Sequence, residues 1–195
     1  AYRLNAHYYL GGPPNIKKKT VTALSHFDKV LEYPHNKYSE EATTMAAELA
    51  YNSKDYTRAL TLYKLLKGKT TSADRLLMAR TGIRRSAHLS GDGAEVIAAA
   101  TELLADNKTA PELANEARYY RSRAAAKAGN RELAGKDLEE LAKDTRHLYG
   151  AEAKYRLAEM HYSAKDYADA EKVLLNYIEV STPHTYWLAR SFVLL

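Results

Sequence analysis

The sequence predicts an all-α repeat fold built from pairs of helices joined by short turns. Three observations carry this. A turn phrase recurs as Lys54-Asp55-Tyr56, Gly91-Asp92-Gly93, Gly129-Asn130-Arg131 and Lys165-Asp166-Tyr167, at spacings of 37, 38 and 36 residues. The apolar residues beside each turn have helical spacing. Leu157, Ala158 and His161 share one face before the last turn, and Ala170, Leu174 and Tyr177 share one face after it. There are only five Pro and nine Gly, mostly at turns, while 46% of residues are hydrophobic, enough for a continuous core. Self-similarity at a period of this length marks a stack of supersecondary units, each burying its apolar face on the next.

The elements follow in chain order. Residues 1–36 form a partial unit. Its opening phrase, Tyr2-Arg-Leu-Asn-Ala-His-Tyr-Tyr9, nearly repeats Tyr155-Arg-Leu-Ala-Glu-Met-His-Tyr162, so the chain starts within the first helix of a pair. Residues 11–19, with Gly11, Pro14 and the run Lys17-Lys18-Lys19, read as an extended loop inserted before the second helix. Full units are expected at 37–70, 71–108, 109–146 and 147–181. In each, the Asp or Asn after the turn's Lys or Gly is placed to cap the second helix, its side-chain oxygen accepting an orphan N–H. Small residues face each other across two turns, Ala47 with Ala59 and Ala158 with Ala170, where the helices must approach closely. The unit around residues 82–104 departs, with Arg84 and Val96 at those positions. Pro111 suits a first helical position, where its missing N–H is harmless. Residues 182–195 read as a first helix with no partner, exposing Trp187, Phe192, Val193, Leu194 and Leu195. On this reading the chain is a piece of a longer repeat protein.

The small residue late in the first helix, the Gly/Lys-Asp/Asn turn, the Ala early in the second helix and the bulky residue four later together resemble the tetratricopeptide repeat. Pro34 and Pro183 fall near the inter-repeat position where that family often has proline. The family's usual period is shorter, so the connections here are expected to be slightly extended. The resemblance covers essentially the whole chain and implies a right-handed α-α superhelix in which the first helix of each pair lines a concave wall.

Residues off the packing face of those first helices are then the candidate partner-binding groove: Tyr2, Tyr9, Tyr51, Tyr119, Tyr155, Tyr162 and Tyr186, with Arg85, Arg123 and Glu159. The chain has 16 Tyr against two Phe and one Trp. Tyrosine offers a large rigid contact whose hydroxyl tolerates water when a site is empty. The same tyrosines could equally pack between repeats. Tyr56 and Tyr167, beside turns, and Tyr33, Tyr63 and Tyr177, on second helices, read as structural. The middle first helices are basic (Arg75, Arg80, Arg84, Arg85, then Arg118, Arg121, Arg123 and Lys127). Solvation is the default for such charges, although members of the family clamp a carboxylate or acidic peptide with groove Lys and Arg.

No catalytic residue, cofactor site or metal site is expected. There is no cysteine, hence no disulfide, thiolate nucleophile or cysteine metal site. His7, His26, His35, His88, His147, His161 and His184 form no His-x-x-x-His pair and show no carboxylate at metal-ligand spacing. His161 reads as a core histidine. Leu89-Ser-Gly-Asp-Gly93 is a turn, too short for a phosphate loop and without its Lys. Glu139 and Glu140 are adjacent and point apart on a helix. A net charge of +5 is mild for this length, and Lys17–Lys19 reads as a solvated helix start, with an anionic-lipid or nucleic-acid contact as the sharper alternative. No apolar run approaches the length of a membrane helix.

The expected function is a protein-binding scaffold or adaptor, not an enzyme. Its partner is a protein or peptide on the concave wall, together with further repeats of the same chain; nucleic acid is not expected. The stretch from Ala23 to Ala42, with its Tyr-Pro helix end and acidic-Ala helix start, resembles the repeats of bacterial cell-envelope proteins. These are the outer-membrane assembly lipoproteins and the periplasmic coordinator of the Tol–Pal system. The resemblance implies a periplasmic or outer-membrane-associated protein. The alternatives are a nucleic-acid-binding helical repeat, which would need a repeated polar code where this chain repeats Tyr, and the targeting arm of a larger enzyme.

Overall fold

The structure, a computed structural model, describes residues 20–33 and 36–195. The expected opening helix with Tyr2 and Tyr9, the inserted loop with its lysines, and Pro34 lie outside the described residues. Among the described residues there are ten α-helices and no strand: α1 (Thr20–Leu31), α2 (Ser39–Asn52), α3 (Tyr56–Lys69), α4 (Ala73–Ser90), α5 (Gly93–Ala105), α6 (Pro111–Lys127), α7 (Arg131–Leu141), α8 (Leu148–Ser163), α9 (Tyr167–Glu179) and α10 (Thr185–Leu194).

The four sequence-marked turns share one backbone solution. Lys54, Gly91, Gly129 and Lys165 are left-handed, with φ of 66°, 86°, 79° and 65°. The next residue sends its N–H back five positions: Asp55 to Ala50 O at 2.9 Å, Asp92 to Ala87 O at 2.8 Å, Asn130 to Ala125 O at 2.9 Å and Asp166 to His161 O at 3.0 Å. This Schellman closure satisfies the last carbonyls of one helix, and the residue that completes it starts the next. Asp55, Asp92 and Asn130 then cap, each accepting from the N–H three positions on at 3.1 Å. The expectation of a fourth cap is corrected at Asp166, which makes no side-chain cap bond. Its Oδ2 instead lies 3.3 Å from His161 Nδ1. His161 is correspondingly not a core histidine but a half-buried residue of the last turn of α8. Between units, Pro111 takes the first turn of α6 as expected.

The helices fall into two compact units, one ending at Ala99 and the other starting at Ala100, with the division inside α5. In the first, α1 packs on α2, α2 on α3 and α3 on α4, around Phe27, Val30, Leu66 and Ile83. A Cβ on Gly82 would stand 2.6 Å from ring carbons of the buried Tyr63, so α4 must offer a bare backbone where it meets α3. In the second unit α6 to α10 pack in succession, and α8 also meets both α6 and α10. Its core cluster includes Leu138, Leu141, Ala153 and Leu157, flanked by Tyr119, Tyr149 and Met160.

The register predicted from the turns holds in all four repeats. The position seven before the left-handed residue (Ala47, Arg84, Ser122, Ala158) and the position five after it (Ala59, Val96, Ala134, Ala170) are buried in every case. The irregular repeat keeps the register with larger residues, and Arg84 is wholly buried there. Tyr63 and Tyr177 are core residues, as expected. Tyr33 and Tyr167 are not structural fillers: both are more than half exposed.

Candidate partner-binding groove

An open cavity of about 640 Å³ lies in the second unit among α6, α7 and α8, with Leu194 of α10 at its edge. Its floor is apolar, from Ala126 of α6, Ala134 and Leu138 of α7, and Ala153 and Met160 of α8. The small side chains follow from the packing register, because Ala134 and its neighbours on α6 let α6 and α7 approach closely. The second helix of a pair therefore supplies part of the floor, whereas the sequence placed the binding surface on first helices alone.

The rim is a chain of alternating charges. Glu152, whose side chain is only 9% exposed, accepts from the Tyr119 hydroxyl at 3.0 Å and from Arg156 Nε at 3.3 Å. It also lies 3.6 Å from Arg123. Arg123 Nη1 donates to the Tyr119 hydroxyl at 2.6 Å, and its guanidinium stands 5.4 Å over the Tyr119 ring. Arg156 Nη1 donates to Glu159 Oε2 at 2.8 Å, while Glu159 Oε1 accepts from the Tyr155 hydroxyl at 2.6 Å. Burial raises the Tyr119 and Tyr155 phenols above their ordinary range, so both hydroxyls hold their protons and donate at neutral pH. Tyr119 is fixed further by stacking on Tyr149, with ring centres 4.4 Å apart.

Both carboxylates of this network are engaged several times over, Glu152 buried and Glu159 31% exposed. Three guanidiniums line the same groove. Arg123 is 56% exposed, Arg156 is 40% exposed, and Arg131 is exposed at the start of α7. The arrangement has no nucleophile–base pair and suits recognition of an anionic, partly apolar surface.

The ten residues expected in a groove are distributed unevenly. Tyr119, Arg123, Glu159 and Tyr162 line the cavity. Tyr155 is buried, 4% exposed, outside the lining, and reaches it through its hydroxyl bond to Glu159. Tyr186 is exposed on α10, away from the lining, and accepts from Arg190 at 3.4 Å. Tyr51 and Arg85 belong to the first unit. Tyr51 meets Tyr56 edge-on at 5.6 Å and 64°, the same pairing that Tyr162 makes with Tyr167 at 5.4 Å and 65°. Tyr2 and Tyr9 are outside the described residues. The sequence reading missed Glu152, Arg131, Arg156 and Met160. The one available signal was the Glu152–Arg156–Glu159 spacing, four and then three residues, which puts opposite charges on one helix face.

Another grouping also went unread. His161, Asp166 and Asp169, across the last turn, bring one ligand atom each within 4.8 Å of one another. They are the side chains among the described residues that could hold a cation. The two aspartates are exposed, and nothing else marks the position as a site.

No family's sequence model matches the chain, and no curated protein matches it. Solved structures do. A Podosopora anserina protein described as "kinesin light chain nearly identical TPR-like repeats" superposes with a TM-score of 0.56 at 14% identity. The match covers 90% of this chain and 93% of that one. A single-substitution form of the same protein matches at 0.56 and 14%, covering 90% and 92%. At this identity the likeness is one of fold, and the fold is that of an all-α TPR-like repeat protein. Among the described residues, no helix is long and apolar enough to cross a membrane.

Proposed function

We propose that the chain is a protein-binding repeat module whose second unit holds an acidic stretch of a partner protein, with the partner's apolar side chains against the alanine-rich floor. The observation that carries this is the balance of the charges. Three guanidiniums, Arg123, Arg131 and Arg156, line an apolar trough beside two carboxylates, Glu152 and Glu159, and both carboxylates are already paired within the rim network. The TPR-like fold supports a scaffold reading, and the groove supplies an apolar surface rimmed by charge. The bacterial-envelope setting implied by the Ala23–Ala42 phrase is part of the proposal; capture of partners from separated periplasmic and cytoplasmic fractions tests it.

The direct test is fluorescence anisotropy with a blocked peptide alternating Glu and Leu, beside the same peptide with Gln for Glu. The acidic peptide should bind, weaken as salt is raised, and lose about tenfold in affinity in an Arg123→Ala, Arg131→Ala chain, in line with truncation of interface anchors. Equal binding of both peptides would remove the charge argument. Labelled single-stranded RNA is the competitor in the same assay. RNA binding that outcompetes the peptide and collapses with salt would favour the nucleic-acid reading instead.

A further inference from the structure

Arg190 lies outside the groove lining yet is wired to it. Its helix, α10, has a single fully buried residue, Ser191, with Trp187, Leu188 and Leu194 half-buried. Polar and aromatic contacts tie it to α8. Arg190 Nη2 donates to the Tyr155 hydroxyl at 2.9 Å, and its guanidinium stands 4.6 Å over the Tyr155 ring and 3.7 Å from Glu159. Trp187 packs 5.6 Å from Tyr155 and lies under Arg156 at 5.5 Å and Arg190 at 5.8 Å. The Glu159 carboxylate thus serves two guanidiniums, Arg156 on the groove side and Arg190 on the α10 side.

We infer that Arg190 is a positioning residue for the groove: by sharing Glu159 it leaves the Arg156 guanidinium available to an anionic ligand, so that docking of α10 and occupation of the groove reinforce each other. The inference rests on the acidic-segment reading above. Without Arg190, Arg156 is the guanidinium left beside Glu159, with the Tyr155 hydroxyl as the carboxylate's other partner, and a ligand carboxylate must compete more strongly for it. In hydrogen-bonded charge networks such redistribution makes deletions non-additive. Coupling between two sites is also reciprocal, so a ligand that draws Arg156 outward strengthens the hold of Glu159 on Arg190.

Trp187, the chain's one tryptophan, reports α10 directly. The experiment measures Trp187 emission and acrylamide quenching together with affinity for the blocked Glu/Leu peptide in the unmutated chain, Arg190→Gln and Arg190→Lys. Arg190→Gln should shift the free protein's emission to the red and weaken the peptide about five- to tenfold. Arg190→Lys should restore most of the affinity, because the charge beside Glu159 remains. Saturating peptide should shield Trp187 from acrylamide in the unmutated chain. A red-shifted Arg190→Gln that binds as tightly as the unmutated chain would overturn the inference. If the unmutated chain binds no peptide, it is the acidic-segment reading that fails. Arg190 is then judged on the free protein by the NMR exchange rate of the Arg156 Nε–H. Slower exchange in Arg190→Gln supports the sharing of Glu159, and an unchanged rate refutes it.

Discussion

Tyr63 shows how one residue carries both packing and titration. Its ring fills the space left by the absent side chain of Gly82, and burial pushes its phenol up from 10.0 to about 12, with the nearby Glu48 adding to the shift. A folded-state pKa above the unfolded value favours the protonated form in the folded chain. The resulting stability is complete below about pH 10 and is lost as pH rises through about 12. Urea unfolding of the unmutated chain should therefore weaken across that window more steeply than that of Tyr63→Phe, which has no proton to lose. Parallel pH profiles would show that Tyr63 ionises freely in the folded state. The core role of Tyr63 could be read from its place on a second helix. The Gly82 contact could not, because nothing local says which ring will lie over a glycine on the next helix. The same limit explains Asp166: its position in the turn matches the other caps, but a histidine five residues before it, within reach of the carboxylate, turned its side chain away.

At the scale of helices, the repeat register was legible because it is set by the backbone. A left-handed residue at fixed spacing dictates which positions face inward, and the same two were buried four times over. The charges on those helices were not legible, because their partners come from other elements. Arg121, read as one of several solvated arginines, joins α6 to α7 through a bidentate pair with Asp137. Nε donates to Oδ2 and Nη2 to Oδ1, both at 2.8 Å, and the side chains are only 14% and 4% exposed. Its Nη1 also donates to Thr101 at 2.9 Å. Removing one member of such a pair strands the other's charge away from water. Asp137→Ala should accordingly cost about 3–5 kcal/mol in chemical denaturation. Replacing both partners with apolar residues of similar volume should cost markedly less. If Asp137→Ala unfolds at the denaturant concentration of the unmutated chain, the pair contributes nothing and the arginine is solvated after all. The groove was half legible for the same reason. Tyr119, Arg123, Glu159 and Tyr162 stood out by position on first helices. Glu152 and Met160 gained their roles only when α6, α7 and α8 came together.

Across the whole chain, the consequence of building from repeats is that stability is local. Within each compact unit the principal contacts run between helices close in sequence, so a defect should weaken its own neighbourhood first. Gly82→Ala provides the defect. The new Cβ must push against the ring of Tyr63 at a starting distance of 2.6 Å, and the ring is only 6% exposed, so it has little room to yield. Overpacking of this kind costs about 1–3 kcal/mol. Native-state hydrogen exchange should show faster opening of the amides of α3 and α4, while those of α7, α8 and α9 keep their protection. The groove of the second unit should then bind its ligand with unchanged affinity in the same variant. Uniform acceleration along the chain would mean that the described helices open as one cooperative body. A lesion at Gly82 would then reduce groove binding by lowering the folded population as a whole, and the two outcomes separate on one exchange map.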